Sequence, residues 1–153
     1  MRHDPFLLTY RGTVYPWQCD HMGHMNVMWY VGKFDEATWH FFHAIGLSRS
    51  RLAGAQRGMA AVDQHIVYLR ELQAGATVSI TTRMLEVHAR RIVFVHEMTN
   101  DEHGSPAART TLVGVHIDTV ARKSCALPDD VVTAARARIA PVAPPPGATP
   151  PDA

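Results

Sequence analysis

Four residues within seven positions, Asp20, Gly23, His24 and Asn26 in CDHMGHMN, bring a carboxylate, a glycine, an imidazole and an amide together. A helix is predicted to begin at the next residue. From Val27 onward, Tyr30, Val31, Phe34, Ala37, Thr38, Phe41 and Ile45 recur at helical spacing and form one stripe. Asn26 suits the N-cap, because its side chain can accept a bond from the second or third helical N–H. Gly46 supplies a left-handed stop. Val27 to Ile45 would make roughly 28 Å of helix, enough to cross a small domain. A carboxylate therefore stands just ahead of a helix N-terminus whose free amides are partly positive. That pairing can hold a developing oxyanion and attack beside it. On its own, an Asp before a helix is more often a plain turn or capping residue.

The elements that must position this turn follow from the rest of the chain. Phe6 to Trp17 is predicted as a first strand, with Pro16 near its end, where a missing donor is tolerated. Ser48 to Gly58 is a polar, Arg-containing connection with room for a short helical turn. Four segments rich in β-branched residues come next: 59–71, 77–88, 91–100 and 107–119. The separators QAGA, Ala89–Arg90 and DEHGSP are short, which favours antiparallel neighbours. Val78, Ile80, Thr82 and Met84 alternate with more polar residues, and Ile92, Phe94, His96 and Met98 share one face of the following strand. A closing helix is expected over 128–139, with Pro128 as its first residue. Residues 141–153 hold six of the ten prolines and no core pattern. The expected organisation is one α+β domain over 1–139 and a disordered Pro-rich tail over 140–153.

Composition narrows the function classes. A formal net charge of +1 argues against a general nucleic-acid binder. With 46% hydrophobic and 19% charged residues the chain reads as globular, and no apolar run approaches the roughly 20 residues that span a bilayer. MRHDPFLLTY lacks the apolar stretch of a signal peptide, and Cys19 with Cys125 are too few for a disulfide scaffold. The cytoplasm is the expected compartment.

The element order together with VYPWQCDHMGHMN and VMWYVGKFDEA resembles the hot-dog-fold acyl-CoA thioesterases. Within them the chain is most similar to the 4-hydroxybenzoyl-CoA thioesterase branch, in which an Asp lies in a D-x-x-G-H-x-N turn before the central helix. HIVYLRELQAGATVSITTRMLEV and ARRIVFVHEM look like that family's second to fourth strands. The resemblance implies a curved antiparallel sheet wrapped around one long helix. It implies hydrolysis of an acyl-CoA thioester to a carboxylic acid and free CoA, without metal or redox cofactor. Asp20 would serve as nucleophile toward the thioester carbonyl or as general base for a water. The backbone N–H of Val27 would hold the carbonyl oxygen. His24 would orient substrate or share a proton with Asp20, unless it is simply a hydrogen-bonded structural histidine. Gly23, Asn26 and Tyr30 are the expected substrate-binding positions, and Arg90 and Arg91 the candidate partners for coenzyme A phosphates. A homodimer or homotetramer is implied, with the active site at the interface. Two other classes compete: a hot-dog hydratase or dehydratase, whose usual G-H-F-P context is replaced here by His24-Met25-Asn26, and a non-catalytic acyl-CoA-binding module.

Other residues have weaker claims. A related branch uses a helix carboxylate, but Asp35 and Glu36 flank the stripe rather than lie in it. Asp63 and His65 share a strand face and are expected to be a satisfied pair. The His21/His24 and His40/His43 spacings could bring imidazoles together, yet no H-E-x-x-H or paired cysteines accompany them, so no metal is expected. Met22, Met25, Met28 and Trp29 are expected in the core or lining the acyl pocket.

Overall fold

The computed structural model describes residues 4–139; the Pro-rich tail expected over 140–153 lies outside them. Its strands are β1 (Leu7–Thr13), β2 (Arg57–Tyr68), β3 (Thr77–Val87), β4 (Arg91–Asn100), β5 (Ser105–Asp118) and the short β6 (Lys123–Ser124). The helices are α1 (Val27–Ala44), α2 (Arg49–Gly54) and α3 (Asp129–Arg136). The strands form one antiparallel sheet in the order β1-β3-β4-β5-β2, with β6 on β5. This is the expected α+β hot-dog fold, a curled antiparallel sheet around the central helix α1. No helix among the described residues is long and apolar enough to cross a membrane.

The stripe on α1 is buried as its spacing requires, except for Val31, which is exposed, while Lys33 and Phe42 are buried beside it. Lys33 Nζ donates to the Tyr10 hydroxyl at 3.1 Å and to the Thr13 carbonyl at 3.4 Å, so its charge lies among neutral oxygens. Three other expectations are corrected. The first strand ends at Thr13, because Pro16 opens a single 3₁₀ turn over Pro16–Gln18 that redirects the chain. Strands β2 and β3 are not neighbours but lie on opposite sides of the sheet. Their connection runs from Leu69 to Ala76, long enough to cross the N-terminal end of α1, with Leu72 buried as its anchor. Pro128 caps α3 rather than starting it.

The core divides in two along α1. Tyr30, Phe34 and Ala37 pack with Val78, Ile80 and Met98 toward its N-terminal end. Phe41, Phe42 and Ile45 pack with Met84, Ile92, Phe94 and Leu112 toward its C-terminal end. Between them runs a polar seam. Thr82, His96 and Thr110 are cross-strand partners on β3, β4 and β5, and all three are fully buried. Thr38 on α1 donates to the Phe34 carbonyl at 3.0 Å, so its oxygen accepts from His96 Nε2–H at 2.8 Å. His96 Nδ1 then accepts from the Thr82 hydroxyl at 2.6 Å. Both ring nitrogens are thus partnered in the neutral ring, and burial holds the His96 pKa down at about 3.

Candidate active site

The turn ahead of α1 is assembled by its own backbone. The Gln18 side chain accepts the Tyr15 N–H at 3.1 Å, and the Gln18 carbonyl accepts the Asn26 N–H at 2.8 Å. Between those anchors the Gly23 N–H closes onto the Asp20 carbonyl at 3.0 Å, and the Asp20 N–H onto the His24 carbonyl at 3.2 Å. Gly23 has φ +88°, a conformation that a side chain would strain. Met25 is buried, and its N–H donates to the Leu72 carbonyl at 2.7 Å, fixing the turn to the β2–β3 connection.

Asn26 joins the two halves of the site. Its carboxamide oxygen caps α1 by accepting the Met28 N–H at 3.0 Å, while its Nδ2 donates to Asp20 Oδ2 at 2.8 Å. Asp20 Oδ1 accepts the Met22 N–H at 2.8 Å. The Asn26 hydrogen bond, then that of Met22, holds the Asp20 carboxyl below the usual carboxylate range. Asp20 is thus ionised at neutral pH. The Trp29 N–H is taken by the Asn26 carbonyl at 3.0 Å. Val27, the first residue of α1, has no carbonyl four residues back in the helix to accept its N–H, so that donor stands at the positive end of the helix dipole.

Beside this donor is a hollow of about 320 Å³ lined by His24, Met25, Val27, Tyr30, Tyr68, Leu69, Arg70 and Glu71. Tyr30 is buried, donates its hydroxyl to the Arg70 carbonyl at 3.4 Å, and meets the Tyr68 ring edge-to-face with centroids 5.1 Å apart. Burial pushes the Tyr30 pKa up to about 12. His24 Nε2 lies 3.4 Å from Glu71 Oε1, so its imidazole is oriented by Glu71 while its main chain braces Asp20.

The structure therefore gathers Asp20, Gly23, His24, Asn26, Val27 and Tyr30 at one end of α1. It does not bring Arg90 and Arg91 there. Their corner pairs with the Val115 end of β5, beside the C-terminal half of the core, and Arg90 is bound to Ser124 at 3.2 and 3.3 Å. Asp35 and Glu36 are exposed on α1. Asp63 and His65 are exposed too and make no side-chain bond to each other, which corrects the expected satisfied pair. Of the methionines near the turn only Met25 is buried; Met22 and Met28 are exposed. His40 and His43 instead line a hollow of about 1030 Å³ with Trp39, Leu47, Leu52 and Met59. Among the described residues no three His, Cys, Asp or Glu side chains converge as metal ligands would.

Sequence reasoning missed Tyr68 and Glu71. They sit at the end of β2 and just beyond it, forty residues from the turn, and only the crossover of the β2–β3 connection brings them in. It also missed the stack of Tyr15 on Trp17, with centroids 4.4 Å apart, on the solvent side of the same turn. The pair Cys125 Sγ and His116 Nδ1, 3.3 Å apart, looks like a nucleophilic dyad. However, Nδ1 also faces the Ala126 and Cys125 carbonyls at 3.1 and 3.3 Å, contacts that call for a proton on Nδ1 and leave it no lone pair for the thiol.

Known proteins supply an independent comparison. The Ruegeria pomeroyi protein named L-carnitine dehydrogenase/betainyl-CoA thioesterase is 31% identical over 136 residues, 89% of this chain and 27% of that protein. This chain thus spans about a quarter of that relative's length. The betainyl-CoA thioesterase of Pseudomonas aeruginosa is 25% identical over 111 residues, covering 72% of this chain and 70% of its own. Among solved structures, a hypothetical protein of Staphylococcus aureus in complex with CoA superposes with a TM-score of 0.82 at 22% identity, over 92% of this chain and 90% of that one. A family model matches residues 14–135, from the turn through α1 and β2–β5 into α3, and on that match the chain belongs to the Thioesterase-like superfamily.

Proposed function

We propose that this protein hydrolyses an acyl-CoA thioester to a carboxylic acid and free CoA, with Asp20 and the Val27 N–H as the working groups. The observation that carries the reading is the double role of Asn26, which ties an ionised carboxylate to the free end of α1. The thioester oxygen would accept the Val27 N–H, which stabilises the negative charge that develops as the carbonyl carbon is attacked. Asp20 acts there in one of two ways. As nucleophile it bonds to the acyl carbon, the CoA thiolate leaves, and water then cleaves the mixed anhydride. As general base it takes a proton from the attacking water. Either route adds hydroxide to the acyl carbon and a proton to sulfur. A turn carboxylate ahead of the central helix supports a site of the 4-hydroxybenzoyl-CoA thioesterase type.

The CoA moiety would run outward past the exposed residues around Val27, and Arg90 and Arg91 enter this reading only as donors from a second copy of the chain. Such a copy is part of the proposal. Among the described residues strand β2 has a neighbour on one side only, and residues 61–65 along its middle are exposed, including Val62. An unpaired edge of that length pairs readily with its own kind. A monomer by light scattering at low micromolar concentration would remove this part of the reading.

A panel of acyl-CoA thioesters bearing aromatic, aliphatic, anionic and quaternary ammonium acyl groups, followed by release of free thiol, tests the activity. The relatives named for betainyl-CoA put the last of these in the panel. At least one member should be cleaved, and Asp20→Asn should lower kcat for it by about 10²-fold or more. Retention of turnover by that variant would sink the role of Asp20. Absence of any hydrolysis would favour a binding module or a hydratase.

A further inference from the structure

Resting on the thioesterase reading above, we infer that Lys33 is a positioning residue for the reaction. From within α1 it binds the last carbonyl of β1, which fixes the turn between the two elements and sets Asp20 against the Val27 N–H.

The first argument is where the side chain goes. Lys33 stands three residues before Glu36 on α1, and at that spacing a pair on the helix surface is the ordinary arrangement. Glu36 is indeed exposed, but Lys33 turns inward until only 4% of it is exposed. Among the described residues its side-chain partners are two neutral oxygens, the Tyr10 hydroxyl and the Thr13 carbonyl. Burying an ammonium without a counter-charge opposes folding, and an apolar side chain of the same length would escape that cost. A residue that stability alone does not favour points to another use.

The second argument is what Lys33 holds. The Val14 N–H donates to the Ala76 carbonyl and the Val14 carbonyl accepts the Gly75 N–H, both at 2.8 Å. Val14 thus turns both of its groups toward the β3 side. In extended chain the preceding carbonyl points the other way, so that of Thr13 faces the edge of β1 that has no neighbour among the described residues. Lys33 Nζ reaches it there at 3.4 Å. The Tyr10 ring lies back along β1 over Gly12, where a Cβ would collide with it, and this brings its hydroxyl within 3.1 Å of the same Nζ.

The third argument is the turn itself. Thr13 ends β1 and Val27 begins α1, so the segment between them has both ends set by Lys33. One end is held directly, the other through less than two turns of helix. Asp20 lies inside that segment and the Val27 N–H at its close. Reacting groups displaced by only about 1 Å can lose a large part of their rate.

Lys33→Met keeps the length of the side chain and removes the donor. With an acyl-CoA that the native protein cleaves, kcat should fall by at least about 10-fold, with KM nearly unchanged and no drop in melting temperature. Tyr10→Phe removes one of the two acceptors and leaves the fold alone, so kcat should fall by less in the same direction. It decides the matter if Lys33→Met does not fold. Amide exchange reads the geometry without substrate. The Met22 and Gly23 N–H groups, both bonded to Asp20, should exchange faster in the variants, while those of β4 keep their protection. A loss of kcat matched by a loss of folded protein overturns the inference, because Lys33 would then be a structural contact only. So does a turn whose exchange is the same in native protein and variants. If both variants cleave the acyl-CoA as fast as the native protein, the inference falls and the thioesterase reading stands. If the native protein cleaves no acyl-CoA, both fall.

Discussion

The two ends of α1 are built from one continuous helix and finished in opposite ways. At the C-terminal end the Leu47 N–H returns to the Phe42 carbonyl at 2.8 Å and the Gly46 N–H to the His43 carbonyl at 3.1 Å, with Gly46 at φ +96°. That is a Schellman closure, which consumes the last carbonyls. Ile45 and Leu47 are buried against it, and Arg51 grips Asp130 through two bonds of 2.6 and 2.8 Å outside. At the N-terminal end the cap is single, Val27 is exposed, and the carboxylate beside it is held by neutral donors rather than by a cation. A paired carboxylate such as Asp130 is satisfied by its partner. One held by an amide and a backbone N–H, as Asp20 is, keeps its charge without a cation over it.

The same substitution made at each end tests that contrast most sharply. Asp20→Asn should lower kcat by about 10²-fold or more with acyl-CoA still bound, whereas Asp130→Asn should leave kcat as it is and shift the melting temperature only slightly. Equal losses at both ends would mean that the open end is not the reactive one. Asp35→Asn and Glu36→Gln should resemble Asp130→Asn, because both carboxylates lie exposed on the flank of α1.

The seam midway along the helix gives a second, smaller handle. The folded His96 pKa is depressed to about 3 by burial, below the ordinary value of 6.5, so between those values the unfolded chain binds more protons. Stability should therefore rise with pH across that window and fall as acid is added. The slope from this one group is about 1.4 kcal/mol per pH unit in the middle of the window. His96→Phe keeps an aromatic ring between Phe34 and Phe94 and leaves Thr38 bonded to Phe34 and Thr82 to Thr9. Denaturant titrations at pH 4, 5 and 6 should show a flatter dependence in that variant. An unchanged slope would assign the acid sensitivity elsewhere.

How much of this was legible in the sequence depends on range. The α1 stripe, the Asn26 cap and the Gly46 stop could be read because each rests on residues within a turn or two of one another. The inward faces of β3 and β4 could be read from alternation, including His96, whose position on the buried face was plain although its partners were not. The strand order could not. Loop length suggested that β2 and β3 pair, and only the burial of Leu72 shows why the connection crosses the helix end instead. That crossing is also what delivers Tyr68 and Glu71, so the half of the site that depends on it was invisible. Lys33 was passed over because its partners, Tyr10 and the Thr13 carbonyl, lie on β1, far from the helix in the chain.

The smallest predicted effect probes whether cap and carboxylate are coupled. Asn26→Ala removes an N-cap, which should cost about 1 kcal/mol of stability. If Asn26 served the helix alone, the loss would stop there. The structure gives its Nδ2 to Asp20 Oδ2, and that bond is the largest cause holding the Asp20 carboxyl below its ordinary 3.8. Losing it should raise the Asp20 pKa. On the proposed role of Asp20, in which the ionised carboxylate reacts, the acidic limb of kcat/KM against pH should move to higher pH in the variant, while the plateau near neutrality falls less than in Asp20→Asn. Asn26→Ser, which can cap but cannot reach Asp20 with an amide, should restore the stability and leave the limb shifted. A limb that returns with Ser, or never moves with Ala, would show that the open end of α1 and its carboxylate are neighbours only.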